Sequence, residues 1–327
     1  MTTPGGRPVA EKASDLARIG GRARTPARPG PGPIADRLVR QLELSMDRHV
    51  GGRMTGDHLG IGHGTGLELD RIRPYEPGDD VRRIDWNATA RTLIPQVRED
   101  VPDRQLTAWL LLDHSPSMHF GTADRRKADV AEGAALVVGR FAARRGNRLG
   151  IVTFGAGRET VTPPAGGSRG MLGLLRAVAT ELPEEGGGDT SPARALALVG
   201  ATRSTRGVVV IVSDFRGPRD WVAPLTEVAG RHAVIAVEVG DPREDALVDV
   251  GELTLVDPET GRSLRVDTGD RRLRSRFDEA AAADRASLAT EFRRLAVRHL
   301  RLSTDGPWLP ALAQAFTRTP DRTGRRA

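Results

Sequence analysis

Five side chains of a type that binds hard metal ions lie in three predicted loops. They are Asp113, Ser115, Ser117, Thr190 and Asp214. The first three come at alternate positions after the apolar run Trp109–Leu112, and the last follows the apolar run Val208–Val212. Carboxylate and hydroxyl oxygens are the ligands that Mg²⁺ or Mn²⁺ prefers. The first three residues alone fit equally well a strand end with a helix-capping serine, but the other two favour a metal site.

The hydrophobic pattern predicts a scaffold that brings these loops to one edge. From residue 106 onward, apolar runs alternate with helix-length amphipathic segments, which is typical of an α/β fold with a mostly parallel sheet flanked by helices. The predicted strands are Leu106–Leu112, Arg148–Phe154, Gly207–Val212, Ala233–Val239 and Leu300–Ser303. A long helix over Arg271–Val297 is expected to bury one apolar stripe from Leu273 to Leu295. Ligands of such sheets bind beyond the carboxyl ends of the strands.

Composition divides the rest of the chain. Residues 1–33 and 318–327 are rich in Gly, Pro and Arg without apolar periodicity, which predicts two disordered tails. We assign residues 34–105 to an N-terminal helix and an extension, 106–304 to the α/β domain, and 305–317 to a C-terminal helix. A β-hairpin insertion is expected at about 252–267, because turn-forming residues separate two short apolar runs there.

Several classes of function are excluded by what the sequence lacks. The 327 residues include no cysteine, so disulfides, thiol nucleophiles and cysteine-ligated zinc are excluded. There is no P-loop, nucleophile elbow or dinucleotide-binding glycine motif. No apolar run is long enough to span a membrane. The net charge of +6 is concentrated in the two tails, which argues against specific nucleic-acid binding. We expect a cytoplasmic protein.

The five candidate ligands resemble the metal-ion-dependent adhesion site of von Willebrand factor A domains. In that motif Asp-x-Ser-x-Ser is followed by a threonine and then by an aspartate after a buried strand. Order and spacing agree over roughly residues 106–304. The resemblance implies a von Willebrand factor A-like (Rossmann-like) fold and a protein-interaction site rather than an enzyme.

A second resemblance lies upstream, over Gly66–Arg91, and its core is the run Pro77-Gly-Asp-Asp-Val-Arg-Arg-Ile-Asp-Trp86. It is similar to the signature of a bacterial family filed as domain of unknown function fifty-eight, whose members accompany MoxR-type AAA+ ATPases. Pro74, Asn87 and Thr89 depart from that signature. The resemblance implies a MoxR-type partner and a role in chaperone-like assembly or maturation of an unknown client protein.

The signature segment alternates basic and acidic residues, which suits planar guanidinium–carboxylate pairs. The residues singled out are Arg73, Asp79, Asp80, Arg82, Asp85, Trp86 and Arg91. The favoured interpretation is a clasp that braces an irregular extension, and a partner-docking surface is the alternative. Trp86 is expected to pack in a core or hinge.

Two functions are compatible with the residues of the metal site. The favoured one is a non-enzymatic interaction module in which a bound Mg²⁺ or Mn²⁺ takes a carboxylate ligand from a partner. The alternative is a metal-dependent, phosphatase-like hydrolase that uses Asp113 as nucleophile, although Ser115 stands where such enzymes need a second aspartate.

Overall fold

The computed structural model of the protein describes residues 30–42, 71–99, 106–143, 147–180, 190–202 and 207–317. These belong to two compact units, one within Met1–Met54 and Leu106–Ala327, the other within Thr55–Gln105. In chain order the strands are β1 Arg71–Pro74, β2 Gln96–Glu99, β3 Thr107–Asp113, β4 Arg148–Phe154, β5 Thr160–Gly166, β6 Val208–Ser213, β7 Ala233–Gly240, β8 Glu252–Val256, β9 Ser263–Asp267 and β10 Arg298–Ser303. The helices are α1 Trp86–Thr92, α2 Lys127–Ala143, α3 Gly167–Val178, α4 Ala193–Gly200, α5 Val222–Arg231, α6 Pro242–Asp245, α7 Arg271–Arg294 and α8 Trp308–Thr317.

The larger unit is built on a six-stranded sheet with the strand order β10-β7-β6-β3-β4-β5. All neighbours are parallel except β5, which pairs antiparallel with β4. This confirms the predicted α/β fold class. Strand β5 was not predicted, because its sequence contains two prolines and little apolar alternation. A proline-containing strand is tolerated here because β5 lies at the edge of the sheet.

The central strands are buried on both faces, which is why they read as continuous apolar runs. Successive side chains of β3 point to opposite faces, so Leu110 enters one hydrophobic core and Leu111 the other. Helices α2, α3 and α8 contribute to the first core, and α4, α5 and α7 to the second. Two helical layers thus hold the sheet rigid and leave its strand ends free to carry a site.

The segment before residue 43 belongs to the larger unit. Residues 36–42 are helical, and Val39 and Leu42 are fully buried in the first core. Trp308 Nε1 donates a hydrogen bond to the carbonyl of Pro31 at 2.8 Å. Residues 34–42 therefore group with the α/β domain and not with the extension, which corrects the sequence-based division. Residues 30–33, predicted as part of the disordered tail, lie in the described part of the chain. Residues 1–29 and 318–327 lie outside the described part of the chain.

The predicted hairpin is present as β8 and β9, paired antiparallel in a sheet of their own. The long helix α7 is also present, but its buried stripe is shorter than expected. Only Leu288 and Phe292 are buried, whereas Leu273 and Phe277 are half-exposed. The first half of α7 therefore has little of the sheet beneath it. No helix among the described residues is both long and apolar enough to cross a membrane.

The smaller unit pairs β1 with β2 antiparallel and encloses a 3₁₀ turn at Val81–Arg83 and helix α1. Asp85 begins α1 as its N-cap, with its side chain accepting hydrogen bonds from the amides of Asn87 and Ala88. Leu93 ends the helix in the left-handed conformation with a φ of 59°. The fold of this unit is therefore local and rests on turn and capping contacts more than on a large core.

Candidate functional site

The strand order of the sheet reverses direction between β3 and β6. From β3 the chain continues to β4 and β5 on one side, whereas β6, β7 and β10 lie on the other. Loops leaving two such neighbouring strands diverge and open a crevice, which is where open α/β sheets bind ligands. Asp113 and Asp214 lie at these two strand ends.

The loop after β3 is folded by its own carboxylate. Asp113 Oδ1 accepts a hydrogen bond from the Ser115 amide at 2.9 Å, and Oδ2 accepts one from the Ser213 hydroxyl at 2.6 Å. The hydroxyls of Ser115 and Ser117 are 3.0 Å apart. Each oxygen of Asp113 keeps a lone pair for a further ligand. One carboxylate and two hydroxyls are thus presented together at the tip of β3.

The loops after β4 and β6 lie in close contact with the segments that carry Ser115 and Thr190. A Cβ at Gly155 would lie 2.6 Å from the Ser115 nitrogen, and one at Gly217 would lie 1.7 Å from the Thr190 carbonyl oxygen. Glycine at these positions lets the loops after β4 and β6 pass directly against the site. Asp113, Ser117, Thr190 and Asp214 line one cavity of about 280 Å³. The structure therefore brings together the five residues that the sequence assigned to one site, Ser115 through its contact with Ser117.

A buried lysine, which the sequence analysis did not single out, neutralises Asp214. Lys127 Nζ lies 2.6 Å from Asp214 Oδ2 and 2.7 Å from Glu244 Oε1, and the Lys127 side chain is 0% exposed. Asp241, the N-cap of α6, completes a capping box with Glu244, which holds that carboxylate in place. The sequence did contain a signal, because lysine occurs only at positions 12 and 127 in a chain otherwise rich in arginine.

A third carboxylate reaches the site from the turn of the β8–β9 hairpin. Glu259 Oε1 accepts a hydrogen bond from the Ser117 amide at 3.1 Å, and Oε2 accepts one from the Thr190 hydroxyl at 2.9 Å. Glu259 is far from both residues along the chain, so no local pattern could have predicted its contribution.

Burial and charge set the protonation of the cluster. Burial, and after it repulsion by Asp214, raises the pKa of Asp113 to about 7. Burial also raises the pKa of Asp214, but the adjacent ammonium of Lys127 outweighs it and the pKa is lowered. Burial lowers the pKa of His114 to about 4, so this neighbour is neutral at pH 7. Lys127 therefore keeps Asp214 ionised, whereas Asp113 beside it is held close to its protonated form.

The ligand chemistry of the site suits a hard divalent cation. Ser115, Ser117 and Thr190 offer neutral hydroxyl oxygens, and Asp113 and Asp214 offer carboxylates. In the described ranges no group of three or more His, Asp or Glu side chains is arranged to hold a metal. An ion bound here would take mostly hydroxyl and water ligands, so a Mg²⁺ or Mn²⁺ ion fits better than a metal that needs a closed cage.

The signature residues of the smaller unit form local contacts of several kinds. Arg73 and Asp79 pair through two bonds of 2.6 Å each, and this lowers the pKa of Asp79. The side chains of Asp80 and Asp85 cap the 3₁₀ turn and α1. Trp86 is 70% exposed, so the expectation that it packs in a core or hinge is wrong. Arg82 and Arg91 are exposed as well.

Comparisons with known proteins agree on the family. The profile of a family described as "Protein of unknown function DUF58" matches residues 71–287. Uncharacterized proteins of Mycobacterium tuberculosis strain H37Rv and of Mycobacterium bovis are each 41% identical over 273 residues, which is 83% of this chain and 85% of theirs.

Some solved structures are similar to this chain at low sequence identity. The conserved hypothetical protein BatB from Bacteroides thetaiotaomicron is 13% identical with a TM-score of 0.40, covering 65% of this chain and 97% of BatB. The SpRpn10 VWA domain is 12% identical with a TM-score of 0.34, covering 66% of this chain and 96% of that domain. Likeness at this level concerns the fold alone and carries no conclusion about function. The match to the family profile and the extent of the mycobacterial relatives together establish that the chain belongs to the DUF58 family.

Proposed function

We propose that this protein is a non-enzymatic interaction module that binds a partner's acidic side chain through a divalent cation at the carboxyl ends of β3 and β6. The observation that carries this proposal is the convergence of Asp113, Ser115, Ser117, Thr190 and Asp214 from three separate loops on one crevice. Mg²⁺ or Mn²⁺ is the ion that this set of oxygen ligands favours.

The charge of the site explains why a cation is needed. Five acidic residues line the cavity with one arginine: Asp113, Asp214, Glu244, Asp257, Glu259 and Arg216. Lys127 and Arg216 neutralise part of this negative charge. A further carboxylate brought by a partner would be repelled by such a surface. A divalent cation bound to Asp113 and the hydroxyls supplies positive charge at the surface and an open position for the partner's oxygen. We therefore expect metal binding and partner binding to strengthen each other equally.

The family resemblance suggests which partner to test. We propose a MoxR-type AAA+ ATPase, with the two proteins acting together in the cytoplasm in chaperone-like assembly or maturation of a client protein. In this arrangement the present chain contributes recognition and the ATPase contributes the work of ATP hydrolysis.

Calorimetric titration of that ATPase against the full chain tests the proposal. We expect association in Mg²⁺ and none in excess chelator. The Asp113→Ala variant should stay folded and should not associate even in Mg²⁺. Asp305→Ala is the matched control, because Asp305 is an exposed aspartate beyond the carboxyl end of β10. It should bind like wild type.

Two outcomes would contradict the proposal. One is equal affinity with Mg²⁺ and with chelator, with Asp113→Ala binding as wild type. The other is steady phosphoester hydrolysis by the wild type that Asp113→Ala abolishes, which would favour the hydrolase alternative.

A further inference from the structure

The turn of the β8–β9 hairpin carries a carboxylate, Glu259, that lies in the site where a partner carboxylate would bind. Glu259 is bonded by the Ser117 amide at 3.1 Å and by the Thr190 hydroxyl at 2.9 Å. Ser117 and Thr190 belong to the candidate metal site, and the turn residues Asp257, Pro258 and Glu259 form one wall of its cavity. Both carboxylate oxygens of Glu259 thus have a donor in the site.

The turn is built to present Glu259 in this orientation. Asp257 Oδ1 accepts a hydrogen bond from the Glu259 amide at 3.0 Å, and Oδ2 accepts one from the Thr260 hydroxyl at 2.5 Å. Gly261, with a φ of +69°, closes the turn by donating its amide to the Asp257 carbonyl at 2.8 Å. The side chain of Glu259 therefore reaches the site from a stiff support.

The hairpin buries few apolar side chains near its turn, whereas its base is anchored. Val256 is 59% exposed and Leu264 is 64% exposed. The hairpin is anchored at its base, where Thr268 is fully buried and its hydroxyl accepts a hydrogen bond from the Val250 amide at 2.9 Å. Segments with few buried apolar contacts open at low free-energy cost. The tip can thus leave the site while the base stays in place.

We propose that Glu259 is an internal carboxylate ligand of the site, so that a partner's acidic side chain must displace the β8–β9 turn to bind. This inference rests on the proposed function, since it assumes that the site recognises carboxylates. An incoming Asp or Glu must enter the space that Glu259 occupies against Ser117 and Thr190, and the two carboxylates would repel each other if both were present. The hairpin is therefore a self-inhibiting cap. The apparent affinity for a partner equals the affinity of the open form multiplied by the fraction of molecules that are open.

Acetate titration of the ¹⁵N-labelled full chain in saturating Mg²⁺ and at constant ionic strength tests this inference. The readouts are the NMR amide signals of Ser117 and Thr190, and acetamide serves as the uncharged probe. The variant is Glu259→Gln, which keeps the shape of the side chain but removes its charge and one acceptor oxygen. Glu252→Gln is the matched control, because Glu252 lies on the same hairpin and pairs with Arg265 at 3.7 Å, away from the site.

We expect Glu259→Gln to bind acetate about 10- to 150-fold more tightly than wild type, the range for losing hydrogen bonding to a charged group. Glu252→Gln should match wild type, and acetamide should shift neither amide. If Glu259→Gln and wild type bind acetate equally, carboxylate recognition stands and the internal-ligand inference is overturned. If acetate shifts these amides in none of the proteins, the proposed function fails, and this inference fails with it.

Discussion

Replacing Lys127 with methionine is the most informative perturbation of the site's framework. The ammonium group is 0% exposed and lies 2.6 Å from Asp214 and 2.7 Å from Glu244. Attraction by these two carboxylates outweighs burial and raises the pKa of Lys127, so the group is charged at neutral pH. Methionine replaces the apolar stem of the side chain and is shorter only by the terminal nitrogen. The change therefore removes the charge with little loss of packing.

The size of the effect follows from what the change leaves behind. Two carboxylates would remain with side-chain exposures of 5% and 12% and without their shared cation. Breaking a buried ion pair by removing one partner costs about 3–5 kcal/mol. We therefore expect the free energy of unfolding of Lys127→Met to fall by about that amount. Glu244→Gln should cost less, because Lys127 keeps Asp214 as its partner.

Urea unfolding followed by circular dichroism at pH 7 measures these differences. Arg140→Met is the control, because Arg140 pairs with Asp36 at 2.8 Å with exposures of 35% and 66%. Exposed pairs contribute about 0–1 kcal/mol. The reasoning would be refuted if Lys127→Met unfolded within about 1 kcal/mol of wild type, the range of the surface control.

Three further predictions concern the rest of the fold. Asp85→Ala should destabilise the protein by about 1 kcal/mol in thermal unfolding because it removes the α1 N-cap; an unchanged melting temperature, as expected for the neighbouring Asn87→Ala, would contradict the capping role. Burial raises the pKa of Asp241, but hydrogen bonds from Thr122 and Thr304 outweigh it and lower the pKa. Asp241→Asn should therefore cost about 1–3 kcal/mol at pH 7. The difference from wild type should shrink in urea unfolding as the pH falls below about 4, because the unfolded chain takes up a proton there and the native carboxylate, with its lowered pKa, does so only at lower pH; a gap that stays constant with pH would contradict this assignment. Deleting residues 1–29 should leave the melting temperature unchanged, whereas deleting residues 1–42 should cost about 3–6 kcal/mol through loss of the buried Val39 and Leu42; equal stability of the two truncations would show that this segment is dispensable.

The sheet could be predicted because its buried strands have continuously apolar sequences. Runs such as Val208–Val212 are apolar throughout, and strands buried on both faces read in that way. Edge strand β5 could not be predicted, since Pro163 and Pro164 are unusual in strands and its position at the edge tolerates them. Along α7 the periodic apolar residues extend beyond the part that the sheet covers, so the pattern overstated the buried length.

Some residues of the site could be predicted from local sequence patterns, and others depend on long-range packing. The Asp-x-Ser-x-Ser spacing after β3 and the aspartate after β6 are local patterns, and the structure brings them together as the topology requires. Lys127, Glu244 and Glu259 come from a helix, a short capped turn and an inserted hairpin. Their contributions depend on tertiary packing, which no single stretch of sequence encodes.

Mn²⁺ titration of the ¹⁵N-labelled protein tests the central claim most directly, because a bound paramagnetic ion broadens the amide signals nearest to it. The account predicts that the signals of Ser115, Ser117 and Thr190 disappear first, at substoichiometric Mn²⁺, and that excess Mg²⁺ restores them. Asp113→Ala should remove this selective broadening, and Asp305→Ala should keep it. Broadening spread over exposed carboxylates elsewhere, or unchanged in Asp113→Ala, would contradict a divalent-cation site at the carboxyl ends of β3 and β6.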